Sequence, residues 1–186
     1  MLIEALINHC SPILARLKTG GMVSLPLKDL GQIMTEMEQL NSIFQPKGLT
    51  LTLLWQGNGK VLVYLYRVRH LEGILADERI QAFLKECGYI SFDLEESLAT
   101  LRQRMQNSNG FPHEVGVFLG YPLEDVLGFI MNEGRNCVCS GCWKAYTNEC
   151  EALQTFQRLR KCRAVYSKLF ASGYPLDRLV VRTQCA

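Results

Sequence analysis

The spacing of apolar residues predicts that helices make up most of this chain. Between 29 and 44 an apolar residue recurs every three or four positions, which is typical of an amphipathic helix with one buried face. Ser11 and Pro12 are a favourable N-cap and a favourable first helical residue, so a short helix before them and a new one starting there are expected. Helices are predicted at 2–8, 12–17, 29–44, 71–75, 77–87, 93–106, 112–120, 122–131 and 149–171.

One segment predicts a β-hairpin. Residues 49–55 and 60–67 are rich in Leu, Val, Thr and Tyr, and Gly57-Asn58-Gly59 between them supplies the positive φ of a tight turn. Both faces of these strands are apolar, so we expect a central pair of strands covered on each side. Shorter strands are predicted at 22–25 and 142–146.

The order of these elements predicts the fold class. Strands and helices are mixed without a regular βαβ rhythm, which favours an α+β fold. We therefore predict a mostly helical single domain, 1–186, around a small antiparallel sheet that contains the hairpin 49–67. Its 186 residues, 48% of them hydrophobic, are enough to fill one core. The loop 107–110 is a possible hinge between an N-terminal and a C-terminal half.

Charge and hydropathy exclude several classes of protein. A net charge of +2 lacks the basic excess of a duplex-binding protein, so nucleic acid is not an expected partner. No apolar run approaches the roughly 18 residues that a membrane-spanning helix requires, and the N-terminus has no signal-peptide pattern. We expect a cytoplasmic protein whose eight cysteines are reduced, and in that setting clustered cysteines suggest metal or redox chemistry.

Cys10 is the first candidate for chemistry. It lies directly before the predicted N-cap Ser11, where the exposed N–H groups of the next helix would favour a thiolate and lower the thiol pKa. His9 is its neighbour in sequence. The alternative is that Cys10 is a small buried residue at the start of a helix, since free cysteine is among the most buried residue types.

His113 and Glu114 form the second candidate. They lie at the predicted start of a helix in an apolar segment, where a histidine can act as a base or a ligand, or can be purely structural. Gly116, one turn later, indicates close helix packing or close approach of a ligand, and packing is the favoured interpretation. We predict that His9, Cys10, His113 and Glu114 line one pocket where two helix N-termini meet.

Cysteines in the second half are the third candidate. Cys137, Cys139 and Cys142 fall within six residues, and Cys150 could complete a tetrahedral zinc site. Their C-x-C-x-x-C spacing differs from the paired C-x-x-C of zinc ribbons and from the ferredoxin pattern. A metal site, a redox-active pair and ordinary thiols therefore all stay open. The basic run 158–163 could contact phosphate, although a solvated helix face is the favoured interpretation.

Several motifs resemble one family. The segment 111–130, FPHEVGVFLGYPLEDVLGFI, is similar to the signature of domain-of-unknown-function family 3793, found mainly in anaerobic clostridia. Residues 9–15, 61–67, 143–146 and 161–163 resemble its other motifs, so the resemblance covers nearly the whole chain. The family has no established activity. The resemblance implies that His9-Cys10, His113-Glu114 and Trp143 lie within family motifs. An aromatic residue usually stands where this chain has Cys142, which weakens the case for a three-cysteine metal site.

Three functions remain open. We expect an accessory binding protein in metal or redox metabolism, because the chain has candidate ligands but no complete catalytic constellation. Alternatively it is a cysteine-nucleophile enzyme of thiol transfer or hydrolysis, with Cys10, His113 and Glu114 as its catalytic residues, or an interaction adaptor without a site. A small ligand, a transition metal or haem would be held by some of His9, Cys10, His113, Tyr121 and Trp143, beside an apolar wall of Phe111, Phe118, Tyr121 and Trp143.

Overall fold

A three-stranded antiparallel sheet is the centre of the computed structural model, which describes residues 1–107 and 111–183. Its strands are β1 (Gly20–Pro26), β2 (Leu49–Gly57) and β3 (Lys60–Arg67), in the order β1-β3-β2. The predicted hairpin 49–67 is confirmed. Asn58 and Gly59 make its turn with φ of 48° and 72°, and the strand register shifts once, between Leu53 and Trp55.

Helices surround this sheet, so the predicted mostly helical α+β fold is confirmed. No helix in the described ranges is long and apolar enough to cross a membrane.

A second, two-stranded sheet joins β4 (Cys139–Ser140) to β5 (Lys144–Ala145). The helices are α1 (Leu2–Leu14), α2 (Leu30–Phe44), α3 (Val68–Leu75), α4 (Glu78–Glu86), α5 (Leu94–Asn107), α6 (Val115–Phe118), α7 (Leu123–Met131), α8 (Glu149–Ala171) and α9 (Leu176–Leu179).

The central strand β3 carries one apolar cluster on each of its faces. Val61, Val63 and Leu65 pack with α1 and α2 on one side of the sheet. Tyr64 and Tyr66 alternate with them and pack with α3, α4 and α5 on the other side. The expectation of strands covered on both faces is therefore correct, and it explains why the hairpin sequence shows weak alternation.

The predicted break between two helices at Ser11 is wrong. Helix α1 runs without interruption to Leu14, with Pro12 inside it, and the Ser11 hydroxyl donates a hydrogen bond back to the Ile7 carbonyl. A proline in a helix interior costs about 3 kcal/mol. The continuous buried face of α1, which includes Ile7, Cys10 and Leu14, offsets that cost through packing.

Arg67 closes the C-terminal end of α1. Its side chain is fully buried and donates hydrogen bonds to the carbonyls of Ile13 (2.7 Å), Leu14 (2.9 Å) and Val181 (2.8 Å), and to the Thr183 hydroxyl (2.9 Å). Burial, and to a lesser extent the charge of Arg16, lowers the pKa of Arg67 to about 10, so it stays a cation at neutral pH. One side chain at the end of β3 thus adds donors to the last carbonyls of α1, which also accept from the backbone N–H groups of Arg16 and Val181, and joins α1 to the C-terminal segment.

Smaller differences concern the second half of the chain. The two-turn helix predicted at 112–120 is reduced to the single turn α6, between Pro112 and Gly120. The strand predicted at 142–146 is the short β5, paired with β4. The possible hinge 107–110 falls on residues 108–110, which lie outside the described residues, and it stays a prediction.

Candidate functional site

An open cavity of about 520 Å³ lies between α6, α7 and the β4–β5 segment. Pockets for small molecules typically have volumes of roughly 300–1,000 Å³, so it has room for an organic ligand. Most of its surface is apolar, and the polar groups that line it are few. Its ring-bearing side chains are Phe111, His113, Tyr121, Phe129 and Trp143.

Two pairs of rings shape the cavity wall. Tyr121 stacks on Trp143, with ring centroids 5.2 Å apart and planes 28° apart. Trp143 in turn meets Phe156 edge-on at 4.5 Å, which supports it from the side of α8. His113 packs on Phe129 with a centroid distance of 5.2 Å. Flat, supported ring faces of this kind favour a flat ligand.

Asp125 holds the Trp143 segment in place. The carboxylate is buried in the first turn of α7 and accepts a hydrogen bond from the Trp143 indole N–H at 2.7 Å. It also accepts from the backbone N–H of Tyr146 (2.7 Å) and from the backbone N–H and hydroxyl of Thr147 (both 3.2 Å). Three of these bonds end on Oδ1 and one on Oδ2, so the carboxylate joins the Trp143 segment to α7 and positions the cavity wall.

Lys144 brings a positive charge to the cavity. Its ammonium group donates to the Gly134 carbonyl at 2.7 Å and lies 5.9 Å from the centroid of the Phe129 ring. An ammonium group has three donors, so two are left for water or a ligand. Among the residues that the structure describes, no carboxylate lies within 4.0 Å of this nitrogen. The cavity therefore combines aromatic walls with an unpaired cation.

Three of the candidate binding residues lie in this cavity together: His113, Tyr121 and Trp143. Phe111 of the expected apolar wall joins them, whereas Phe118 is fully buried in the core beside Tyr89. The sequence analysis missed Asp125, Phe129, Ser140 and Lys144. A carboxylate in the apolar segment 122–131 was a signal that Asp125 had a buried partner, but nothing in the sequence pointed to Ser140 or Lys144.

His9 and Cys10 are not among the residues that line the cavity. His9 is exposed on α1, while Cys10, the next residue, is fully buried, with its sulfur against Gly21 of β1. Burial raises the pKa of the Cys10 thiol to about 12, although the charges of Lys18 and Arg163 act in the other direction. The expected lowering of this pKa is wrong, because α1 continues through Cys10 instead of starting after it.

We predict that Cys10 resists alkylation in the folded protein. With its thiol pKa at about 12, only about one molecule in ten thousand carries the thiolate near pH 8, and the sulfur is shielded as well. Iodoacetamide treatment followed by peptide mass spectrometry should leave Cys10 unmodified while the exposed Cys150 is labelled. In denaturant both should react. Equal labelling of Cys10 and Cys150 in the native protein would contradict this assignment.

Glu114 is structural in this fold. It is 3% exposed and forms an ion pair with Arg104 of α5, which joins α5 to the segment before α6. Arg104 also lies 6.0 Å from the centroid of the Tyr89 ring. Burial first, and then the charge of Glu114, raise the pKa of Tyr89. His113 and Glu114 are adjacent in sequence but have different surroundings: His113 lines the cavity, and Glu114 is buried.

The cysteines proposed as zinc ligands do not converge. Cys142 accepts a weak hydrogen bond from Arg163 at 3.6 Å, whereas Cys150 lies on the exposed side of the first turn of α8. Within 1–107 and 111–183, no three His, Cys, Asp or Glu residues are grouped so that they could hold a metal ion. The predicted site of Cys137, Cys139, Cys142 and Cys150 is therefore not formed there.

Gly116 is required by packing. A Cβ at this position would lie 2.8 Å from Cγ2 of Val126 and 3.4 Å from the Tyr121 ring. The contact with Val126 is shorter than a real Cβ atom makes, so a side chain at position 116 would push α6 away from α7. This agrees with the packing interpretation, and it also fixes the floor of the cavity, which Gly116 lines.

The fold and cavity define a mostly helical α+β protein with an aromatic-walled cavity. The sequence matches a family described as protein of unknown function (DUF3793) over residues 6–180, and the chain belongs to that family. The matched region contains the three-stranded sheet and all of the cavity. No curated protein matches the chain, and neither does any solved structure.

Proposed function

We propose that this protein binds a planar, largely apolar small molecule that carries an anionic group. The observation behind the proposal is one cavity of about 520 Å³ that places the stacked rings of Tyr121 and Trp143 near the unpaired ammonium of Lys144. Aromatic faces contribute most when the ligand is also flat. Lys144 is exposed but has no carboxylate partner among the described residues, so beside the apolar wall its charge favours a ligand with a negative group.

Binding accounts for the site better than thiol catalysis. The nucleophile hypothesis needs a reactive Cys10 beside His113, but Cys10 is buried and its pKa is raised to about 12. Among the described residues, those that line the cavity include no cysteine, and Asp125 already accepts four hydrogen bonds from the Trp143–Thr147 segment. Ligand capture needs only the rings, Lys144 and a stable wall, all of which are present.

A metal-containing flat ligand is the narrower form of this proposal. His113 lines the cavity and packs on Phe129, and its imidazole would be the residue that binds the iron of a macrocycle such as haem. Titration with haemin, followed by absorption spectroscopy, tests this form. A shift of the main absorption band that is lost in His113→Ala would support it. No shift, together with retained binding of an organic anion, would restrict the ligand to metal-free compounds.

We also propose that the protein works in a reducing compartment such as the cytoplasm. The support is that the seven cysteines within the described ranges are all unpaired thiols, including the exposed Cys150. In an oxidising compartment exposed thiols tend to be paired.

Fluorescence titration with anilinonaphthalene sulfonate (ANS), a flat anionic probe, tests the main proposal. Ser140→Phe adds a ring to the cavity wall and should weaken binding at least about tenfold, whereas Ser42→Phe, on the exposed face of α2, should have no effect. Lys144→Met should weaken binding about three- to tenfold, because it removes the cation. Lys28→Met, at another exposed lysine, is the matched control.

Two results would contradict the proposal. One is saturable ANS binding that Ser140→Phe leaves unchanged, because the probe would then be held elsewhere. The other is no saturable binding by the wild-type protein. Thermal unfolding of each variant, followed by circular dichroism, shows whether a loss of binding reflects a filled cavity or an unfolded chain.

A further inference from the structure

A second, smaller pocket of about 140 Å³ lies on the other side of Gly141 from the aromatic cavity. Its walls are Gly141, Cys142, Phe156, Arg160 and Arg163. We infer that this pocket binds a small oxyanion of the phosphate or sulfate class between the two arginines. The inference does not depend on the proposed function, since only Gly141 is shared by the two pockets.

Charge is the first support. Arg160 and Arg163 are three residues apart on α8, so both guanidinium groups reach the same face of the helix. In the part of the chain that the structure describes, neither has a carboxylate within 4.0 Å. A third cation, Lys18, lies near Arg163 and donates to the Gly20 carbonyl. Burial lowers its pKa to about 8, Cys10 and Cys142 act in the other direction, and Arg163 lowers it further, so most Lys18 side chains still carry a charge at pH 7.

An unused donor is the second support. The Nε–H group of Arg163 is buried and has no hydrogen-bond partner within the described residues. On the same guanidinium, Nη2 is bonded only weakly, to the Cys142 sulfur at 3.6 Å. Buried N–H groups normally have a hydrogen-bond acceptor, so this unpaired N–H beside an open pocket indicates that the pocket holds one. A phosphate or sulfate oxygen would provide it.

The size and shape of the pocket select the ligand. A water molecule takes up roughly 30 Å³ of the liquid, so about 140 Å³ holds the equivalent of four or five waters. That is enough for a tetrahedral oxyanion with some solvent. The planar guanidinium fork matches two oxygens of such an anion, which a chloride ion cannot provide.

The basic run 158–163 is therefore divided in two. Arg158 and Lys161 are exposed on the outer face of α8, as expected for a solvated helix, and neither lines the pocket. Arg160 and Arg163 line it. This division supplies the control for the experiment, because Arg158→Gln removes the same charge from the same helix outside the pocket.

Isothermal titration with inorganic phosphate, at constant ionic strength set with chloride, tests the site. The wild-type protein should bind phosphate saturably, and sulfate should compete. Arg163→Gln should weaken binding at least about tenfold and Arg160→Gln about three- to tenfold, while Arg158→Gln should stay within about twofold of the wild type. If Arg163→Gln does not fold, Arg163→Lys keeps the charge but loses the fork, and it should also weaken binding.

Absence of saturable phosphate binding would overturn the inference. A loss of affinity in Arg158→Gln as large as that in Arg163→Gln would also overturn it, because the anion would then be attracted by the positive charge of α8 in general. Titration with phenyl phosphate distinguishes an oxyanion that is part of a larger ligand from a free anion, and either result supports the site. Tighter binding than inorganic phosphate, with displacement of ANS, would assign the oxyanion to a ligand that also occupies the aromatic cavity. Equal affinity without displacement would assign a free anion.

Discussion

Arg67→Met should lower the free energy of unfolding by about 3–5 kcal/mol, the largest effect that we expect from a single substitution. Methionine fills much of the volume of the side chain but donates no hydrogen bond. The carbonyls of Ile13, Leu14 and Val181 and the Thr183 hydroxyl would each lose the hydrogen bond that Arg67 donates. Backbone N–H groups would still donate to the Ile13 and Leu14 carbonyls. The end of α1, the end of β3 and the C-terminal segment would then lose the group that joins them. Urea unfolding followed by circular dichroism measures the change.

Arg69→Met is the matched control for this prediction. Arg69 is two residues further on and exposed, so its replacement should change the free energy of unfolding by less than about 0.5 kcal/mol. Arg67→Lys should recover only part of the loss, because an ammonium group cannot reach all four acceptors in a fixed fork. If Arg67→Met and Arg69→Met proved equally stable, the guanidinium would not be the link between these three segments.

Asp125→Ala should have the second largest effect, lowering the free energy of unfolding by about 2–4 kcal/mol. The Trp143 indole N–H and the backbone N–H groups of Tyr146 and Thr147 would all lose their acceptor. Because these bonds hold the Trp143 segment on α7, ANS affinity should fall together with stability. Urea unfolding and ANS titration of the same sample measure the two effects.

Glu124→Ala separates this role from a general loss of negative charge. Glu124 is the neighbouring carboxylate on α7, and its ion pair with Arg79 is exposed, so its removal should cost no more than about 1 kcal/mol. ANS affinity should be unchanged in this variant. If Asp125→Ala stays folded and binds ANS as tightly as Glu124→Ala does, Asp125 does not shape the cavity.

Features of the fold that depend on neighbours in sequence could be predicted. The hairpin 49–67 and helix α2 follow from local periodicity and from turn residues such as Gly59. The continuity of α1 through Pro12 could not be predicted, because its cause is distant. Packing of its buried face and hydrogen bonds from Arg67, 54 positions beyond Ile13, outweigh the local signal for a new helix.

The candidate site shows the same division. His113 stood out as a polar residue in an apolar segment, and Trp143 through its place in a family motif. Both line the cavity. Cys10 also stood out, but its position in a helix and its burial depend on contacts with β1 that the sequence does not reveal. Lys144 looks like any surface lysine until the fold places it beside Phe129. Chemistry that depends on two distant segments meeting could not be predicted.

The Trp143 indole N–H gives the most direct test of the central claim, that a flat anionic molecule binds against this ring. The chain has two tryptophans, Trp55 on β2 and Trp143, so a proton–nitrogen correlation spectrum should show two indole signals. On titration with ANS, the Trp143 signal should shift and saturate while the Trp55 signal stays in place. A Trp143 signal that does not move at saturating ANS, or equal shifts of both signals, would contradict binding in the cavity.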